Sequence, residues 1–316
     1  MAIFFLHISQ DLAFMLTLAY QYIPILILFI TLAVLFGFLI VHKKLTETRQ
    51  KRSPFTKDFL RGPGYSEFKR IELINEDITC WLFVLLFLPI FVYSILFMHL
   101  HHPDRALQDN LLFYIPFALF YGFGLYKMNF LLTQRRKARL GFEGEIAVGQ
   151  ELNQLLANGY HVFHDYPASK NNIDHVLIGP AGVFAVETKA RSKPTTKKNP
   201  QGDHKVFYDG KLLKFPGWSE SEPIRQAKRQ AAELSVELSK AVGEPVQAQP
   251  VLAIPGWYVE RTAKPDIFIV NGKGAHGLFC KLPVSLDESM IQRIVYQVEQ
   301  KCRDVKPKAY REWEQH

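Results

Sequence analysis

The chain has 316 residues and a formal net charge of +8. That length can hold two domains of ordinary size, and the positive balance points to an anionic partner, either lipid head groups or nucleic acid. Three scattered cysteines, Cys80, Cys280 and Cys302, exclude a disulfide framework and fit a reducing compartment; there is no internal repeat or long low-complexity tract.

Apolar residues crowd the first 132 positions. Residues 12–41, "LAFMLTLAYQYIPILILFITLAVLFGFLIV", contain no Lys, Arg, Asp or Glu. A helix of roughly 20 residues crosses the hydrocarbon core, so a membrane span is expected at about 20–41, with Pro24 at a possible kink. Residues 79–100 and 111–132 form a second and a third expected span, Lys127 snorkelling from the third towards an interface. The alternative, core helices of a soluble protein, is disfavoured by run length and lack of charge. A cleaved signal peptide is not expected, because no Lys or Arg precedes Lys43 to form a basic n-region.

Charge in the short loops sets the orientation. The loop from His42 to Ile71 holds nine Lys or Arg against three acids; "HHPDRALQDN" holds one Arg; "QRRKAR" after the third span is densely basic. The basic segments therefore share one side. The expectation is an N-terminus outside, a cytoplasmic first loop attracted to anionic head groups at 42–71, a short external turn and a cytoplasmic C-terminal domain. Residues 133–140 read as a basic linker.

From Gly141 the pattern becomes that of a water-soluble α/β domain, 141–316. "FEGEIAVGQELNQLLANG" predicts a helix with Val148, Leu152, Leu155 and Leu156 on one stripe and Gly159 ending it. "YHVFHDY" predicts a strand, and "IDHVLIGPAGVFAVETKA" a hairpin. "KVFYDGKLLKF" predicts a second hairpin turning at Asp209-Gly210. A helix follows over "SESEPIRQAKRQAAELSVELSKAVG", capped by Ser221 or Glu222 with Pro223 in its first turn. Two further strands lead to a last helix from Ser285, as N-cap, to Cys302. This order predicts one sheet with helices on its faces.

The first hairpin carries the chemistry. Strand side chains alternate faces, so Glu187 and Lys189 share a face with Val183 and Ala185, and Asp174 shares one with Val176 and Ile178. If Ile178 pairs with Val183 across a four-residue loop, Gly179 to Gly182, Asp174 falls directly opposite Glu187. Opposed like charges destabilise a sheet, so two carboxylates there call for a cation or a shared proton. A divalent ion such as Mg²⁺ takes one or two carboxylates, with water and phosphate oxygens completing its shell. A nearby ammonium can orient water and offset phosphate charge, which makes Asp174, Glu187 and Lys189 a candidate site for phosphodiester hydrolysis. A one-residue bulge at Gly182 would separate the acids. The competing reading is an edge strand with solvated Glu187 and Lys189, and Asp174 as a turn or capping group.

"GFEGE", "YHVFHD", "IDHVLIGPAGVFAVETKA" and "EPIRQAKRQ" together resemble the nuclease-related domain, NERD, over residues 141–255. That domain is similar to the restriction-endonuclease-like superfamily with its PD-(D/E)xK signature. The resemblance implies a restriction-endonuclease-like mixed sheet flanked by helices and a Mg²⁺- or Mn²⁺-dependent nuclease. It implies Asp174 and Glu187 as metal ligands, Lys189 as the group that positions water, Glu145 as a further metal-binding acid and Gln226 as a phosphate or site contact. Glu145 is equally readable as a first-turn acid favoured by the helix dipole, and Gln226 as an ordinary polar helix residue. The family's Asn-Pro-x-x-Gln pattern reads Glu222-Pro223-Ile224-Arg225-Gln226 here, so Glu replaces Asn.

Arg191, Lys193, Lys197 and Lys198 follow the site and form a candidate nucleic-acid contact, with Lys228 and Arg229 as an extension; a solvated loop is the alternative. His161, His164, His175, His204 and His276 show no zinc spacing with Cys280 or each other. "GKGAHG" at 272–277 lacks the Lys-Ser or Lys-Thr of a P-loop. The combined expectation is a multi-pass protein of a bacterial inner membrane whose cytoplasmic domain cleaves DNA, or RNA, with a divalent metal. The alternatives are a tethered nucleic-acid-binding module that does not cut and a membrane scaffold.

Overall fold

The computed structural model describes residues 23, 26, 27, 29–42, 44, 45, 54–100, 107–169, 172–194, 204–263 and 266–307. The chain divides into two compact units, one of residues 1–52, 74–133 and 312–316, the other of residues 53–73 and 134–311.

The first unit is helical. It contains α1 (Phe29–His42) and the apolar stretches of α2 (Tyr65–Leu100) and α3 (Leu107–Asn153). Leu82, Phe83, Leu86, Phe91 and Leu119 are exposed, an apolar surface of the kind that a membrane or a protein partner covers. Trp81 packs between Phe120 and Phe123, with ring centroids 5.9 and 5.7 Å away. Among the described residues two helices are long and apolar enough to cross a membrane, Tyr65–Leu96 and Tyr114–Asn158. The first expected span appears as the shorter α1, and its residues 20–22, 24, 25 and 28 lie outside the described residues. The expected linker 133–140 is part of continuous α3.

The second unit is a mixed α/β body with two sheets. The larger is ordered β1 (His161–Tyr166), β2 (Ile173–Gly179), β3 (Gly182–Thr188), β7 (Ala248–Ala253), β9 (Phe268–Val270); the smaller is β6 (Trp218–Glu220), β5 (Leu213–Phe215), β4 (Lys205–Tyr208), β8 (Tyr258–Arg261). β1, β2 and β3 are antiparallel, while β3–β7 and β7–β9 are parallel. Return from β3 to β7 passes through α4 (Glu222–Val242), which packs on both strands. Every residue of β3 is buried, as a strand covered on both faces requires. On one face Val176, Ile178, Val183 and Ala185 meet Ala231, Leu234 and Leu238 of α4 and Ile294 and Val298 of α6 (Glu288–Cys302). On the other, Leu177, Phe184 and Val186 meet Val148 and Leu152 of α3 and Phe279 of α5 (Ala275–Phe279).

One sheet was the expectation; two are found. Val206, Tyr208 and Leu213 bury their side chains against Leu252, Ile254 and Ile269 instead of extending the larger sheet. α6 is capped by Asp287, whose carboxylate accepts the Met290 amide at 2.8 Å. Ser285 is not the cap, since its amide donates to the Pro180 carbonyl and holds the β2–β3 turn. Leu156, expected on the buried stripe, is exposed because α3 tightens into a 3₁₀ turn at Gln154–Asn158, which rotates the next side chain outward.

Candidate active site

The β2–β3 ladder pairs Ile178 with Val183 and His175 with Val186. Gly179 pairs with Gly182, so the loop proper is Pro180-Ala181, and Gly182 takes φ 125°, a value that favours glycine. The ladder ends at His175 with Val186, and Asp174 and Glu187 are the next residues on the two strands. No bulge intervenes between the turn and His175.

Asp174, Glu187 and Lys189 line one cleft of about 470 Å³, together with Glu145 of α3 and Gln226 of α4. All five sequence-derived catalytic and metal candidates therefore meet in one place. Glu187 is 1% exposed, with Oε1 paired to the Lys189 ammonium and Oε2 buried without a hydrogen-bond partner. Lys189 is fixed by its amide, which donates to the Ala253 carbonyl at 2.8 Å. Oδ2 of Asp174 accepts the Thr188 amide at 2.6 Å. Burial, reinforced by Glu187 and Glu145, pushes the Asp174 carboxyl well above its ordinary range, against the opposing pull of the Thr188 amide and Lys189. Burial, then the charges of Glu67, Asp165 and Glu187, pushes Glu145 up to about 8. An enclosed carboxylate group of this kind marks a place where a cation or protons must gather.

The cleft also contains residues that sequence reasoning missed: Ser66, Glu67, Lys137, Asp165 and Asn172. Asp165 is 2% exposed with φ 51°. It accepts from Arg61 Nη1 at 3.1 Å, from Ser66 Oγ at 2.8 Å and from Asn172 Nδ2 at 3.2 Å. Arg61 also grips Asp304 through Nε and Nη2 at 2.8 and 2.6 Å. The only sequence hint for Asp165 is its place at the end of a predicted strand; Ser66 and Glu67 sit in a basic loop with no motif around them.

In the candidate basic contact, Arg191 lines the cleft and its guanidinium is held by Glu220 through two bonds of 2.9 Å. Lys193 stands 5.8 Å over the Trp257 ring. Lys197 and Lys198 lie outside the described residues. Lys228 pairs with Asp266 and Arg229 with Glu222, at 2.8 Å for the second. His164 and His175 face each other through Nδ1 atoms 2.9 Å apart in the buried sheet, and burial lowers His164 to about 4.

Among the described residues no three His, Cys, Asp or Glu side chains converge so that they could jointly hold a metal ion. Glu145, Asp174 and Glu187 share a cleft but not a single point. The donors are all oxygen and Glu187 Oε2 has no partner, which suits a hard cation held by one or two carboxylates with water completing its shell. No curated protein and no solved structure matches the chain. Residues 140–255 match the family model of the nuclease-related domain, NERD.

Proposed function

We propose that the protein is a membrane-anchored, metal-dependent nuclease that hydrolyses phosphodiester bonds, in DNA ahead of RNA. The observation that carries this reading is the meeting of Asp174, Glu187, Lys189, Glu145 and Gln226 in one cleft, with a buried Glu187 oxygen left unpaired. Asp174 and Glu187 would hold Mg²⁺ or Mn²⁺, with Glu145 beside them. Such an ion supplies Lewis-acid polarisation of a phosphoryl oxygen and lowers the pKa of bound water. Lys189, steadied by Glu187 and the Ala253 carbonyl, places its ammonium where it orients the attacking water and offsets phosphate charge. Gln226, in the first turns of α4, offers an amide donor to a phosphate oxygen. Lys137 adds a cation on the α3 side of the cleft.

The membrane reading keeps three spans in a bacterial inner membrane, with the N-terminus outside and the C-terminal domain in the cytoplasm. Its support is the apolar surface of α2 and α3 and the basic loop at 42–71, which suits anionic lipid. A non-cutting nucleic-acid-binding module is the second reading, favoured because no three acids converge as a metal cage among the described residues.

The test is plasmid cleavage by the full chain in detergent with Mg²⁺ or Mn²⁺. Lys189→Ala should lower the rate at least a hundredfold, the scale of a lost charge-stabilising group. Salt-sensitive binding without cleavage, indifferent to Lys189→Ala, selects the second reading. Release of the protein from membranes by alkaline carbonate would remove the anchoring proposal.

A further inference from the structure

An aromatic cluster stands beside the cleft and takes no part in the chemistry assigned above. Trp218 opens β6, the edge strand of the smaller sheet, directly after the Pro216-Gly217 turn, where Gly217 takes φ 90°. Its ring lies flat on that of its cross-strand partner Phe215, with centroids 4.7 Å apart and planes within 5° of parallel. Phe215 in turn meets Trp257 at a steep angle, 5.0 Å away. Phe215 and Trp257 are buried, whereas Trp218 is 37% exposed.

Trp257 lies 6.3 Å from Trp218, farther than it lies from Phe215, so it flanks the stack and does not sit over Trp218. Phe215 covers one face of the Trp218 ring, and the opposite face and rim carry the exposure. Two buried rings hold this indole in place, so a planar ligand can stack on it with little loss of side-chain freedom.

Direct contacts tie the cluster to the cleft. Trp257 Nε1 donates to the Arg191 carbonyl at 3.0 Å. The guanidinium of Arg191, a residue that lines the cleft, is held by Glu220, two residues after Trp218 on β6. Two strand residues span about 7 Å. The Lys193 ammonium stands over the Trp257 ring and pairs with no carboxylate among the described residues. Cationic groups and an open aromatic face thus follow one another away from Lys189. Cations that track a phosphate backbone, next to a ring on which a base can lie, are what holds a single strand without sequence preference. A base inside a duplex is covered on both faces by its neighbours and must leave the stack to use such a ring.

We propose that Trp218 is a stacking platform for an unpaired base of the nucleic acid whose phosphate enters the cleft. The substrate class is then single-stranded DNA or a frayed end, in preference to intact duplex. The inference rests on the nuclease reading of this cleft and deepens it.

The experiment follows fluorescence anisotropy of a labelled oligothymidylate, and of a duplex of equal length, with the full chain in detergent and Mg²⁺. It is run in the Lys189→Ala background, which suppresses cleavage. The single strand should bind more tightly than the duplex. Adding Trp218→Leu should weaken single-strand binding about tenfold, the scale of one lost base–aromatic stack, and leave duplex binding unchanged. Trp218→Phe should keep most of the affinity, because a smaller ring still stacks. Thermal melting checks that the variants fold. If Trp218→Leu does not fold, quenching of tryptophan fluorescence by oligothymidylate should be present in the parent and reduced in Trp218→Phe. A preference for duplex, a Trp218→Leu variant that binds the single strand like its parent, or an equal loss for both probes overturns the proposal. Plasmid cleavage by the chain with Lys189 intact separates the two ideas. Trp218-dependent binding without any cleavage defeats the nuclease reading alone. Mg²⁺-dependent cleavage with binding indifferent to Trp218 defeats the platform alone.

Discussion

Arg61 shows how much one side chain can hold. Its guanidinium joins Asp304, beyond the end of α6, to Asp165 at the end of β1. Asp165 is nearly inaccessible and sits in a left-handed backbone conformation that Asp tolerates better than most residues. Arg61→Ala leaves this carboxylate with only Ser66 and Asn172, so a loss of about 3 kcal/mol is expected, the scale of a buried pair stripped of one partner. Denaturant unfolding followed by tryptophan fluorescence reads it. Arg61→Lys should recover only part, because an ammonium cannot make the forked contact. The same scale shows what the sequence could reveal. Asp174 and Glu187 were legible because strand alternation and a short turn fix which residues oppose. Asp165 was not, since Arg61 and Ser66, which hold it, lie 104 and 99 positions away in the chain and follow no period.

At the scale of elements, α3 lies so close to the segment after β3 that a side chain is barely admitted. A Cβ on Gly144 would come within 2.6 Å of the Ala190 Cβ. Alanine in mid-helix normally gains about 1 kcal/mol over glycine, but overpacking against a fixed methyl costs about 1–3 kcal/mol. Gly144→Ala is therefore expected to lower the melting temperature by a few degrees and, on the proposed nuclease function, to slow cleavage, because Ala190 follows Lys189. A higher melting temperature would show that the contact relaxes freely. Helix periodicity foretold Val148, Leu152 and Leu155 as core but misplaced Leu156, because the switch to a 3₁₀ turn changes the angular step between residues. Likewise Ser285 reads as a cap in isolation, and only the neighbouring Pro180 carbonyl diverts it.

Across the whole molecule, acidity should act through the buried histidines. His164 is neutral in the fold, its pKa lowered to about 4 from an ordinary value of about 6.5, and His175 is lowered well below its ordinary value by burial and by His164. The unfolded chain therefore binds more protons between those values. This contribution is present above about pH 6.5, is lost as pH falls, and is exhausted near pH 4, amounting to about 3 kcal/mol from His164 alone. Thermal melting of the full chain in detergent should fall across that window, less steeply in His164→Gln; equal slopes in the two proteins would count against this account. The sequence by itself determined the apolar and charged halves, the hairpin register and the nuclease-related segment, because composition, period-two alternation and turn chemistry are local properties. Only the tertiary structure decided that the later strands form a second sheet, that Arg191 is spent on Glu220, and that residues 53–73 join the C-terminal body. Those outcomes depend on which distant surfaces bury one another, and no local pattern along the chain encodes that choice.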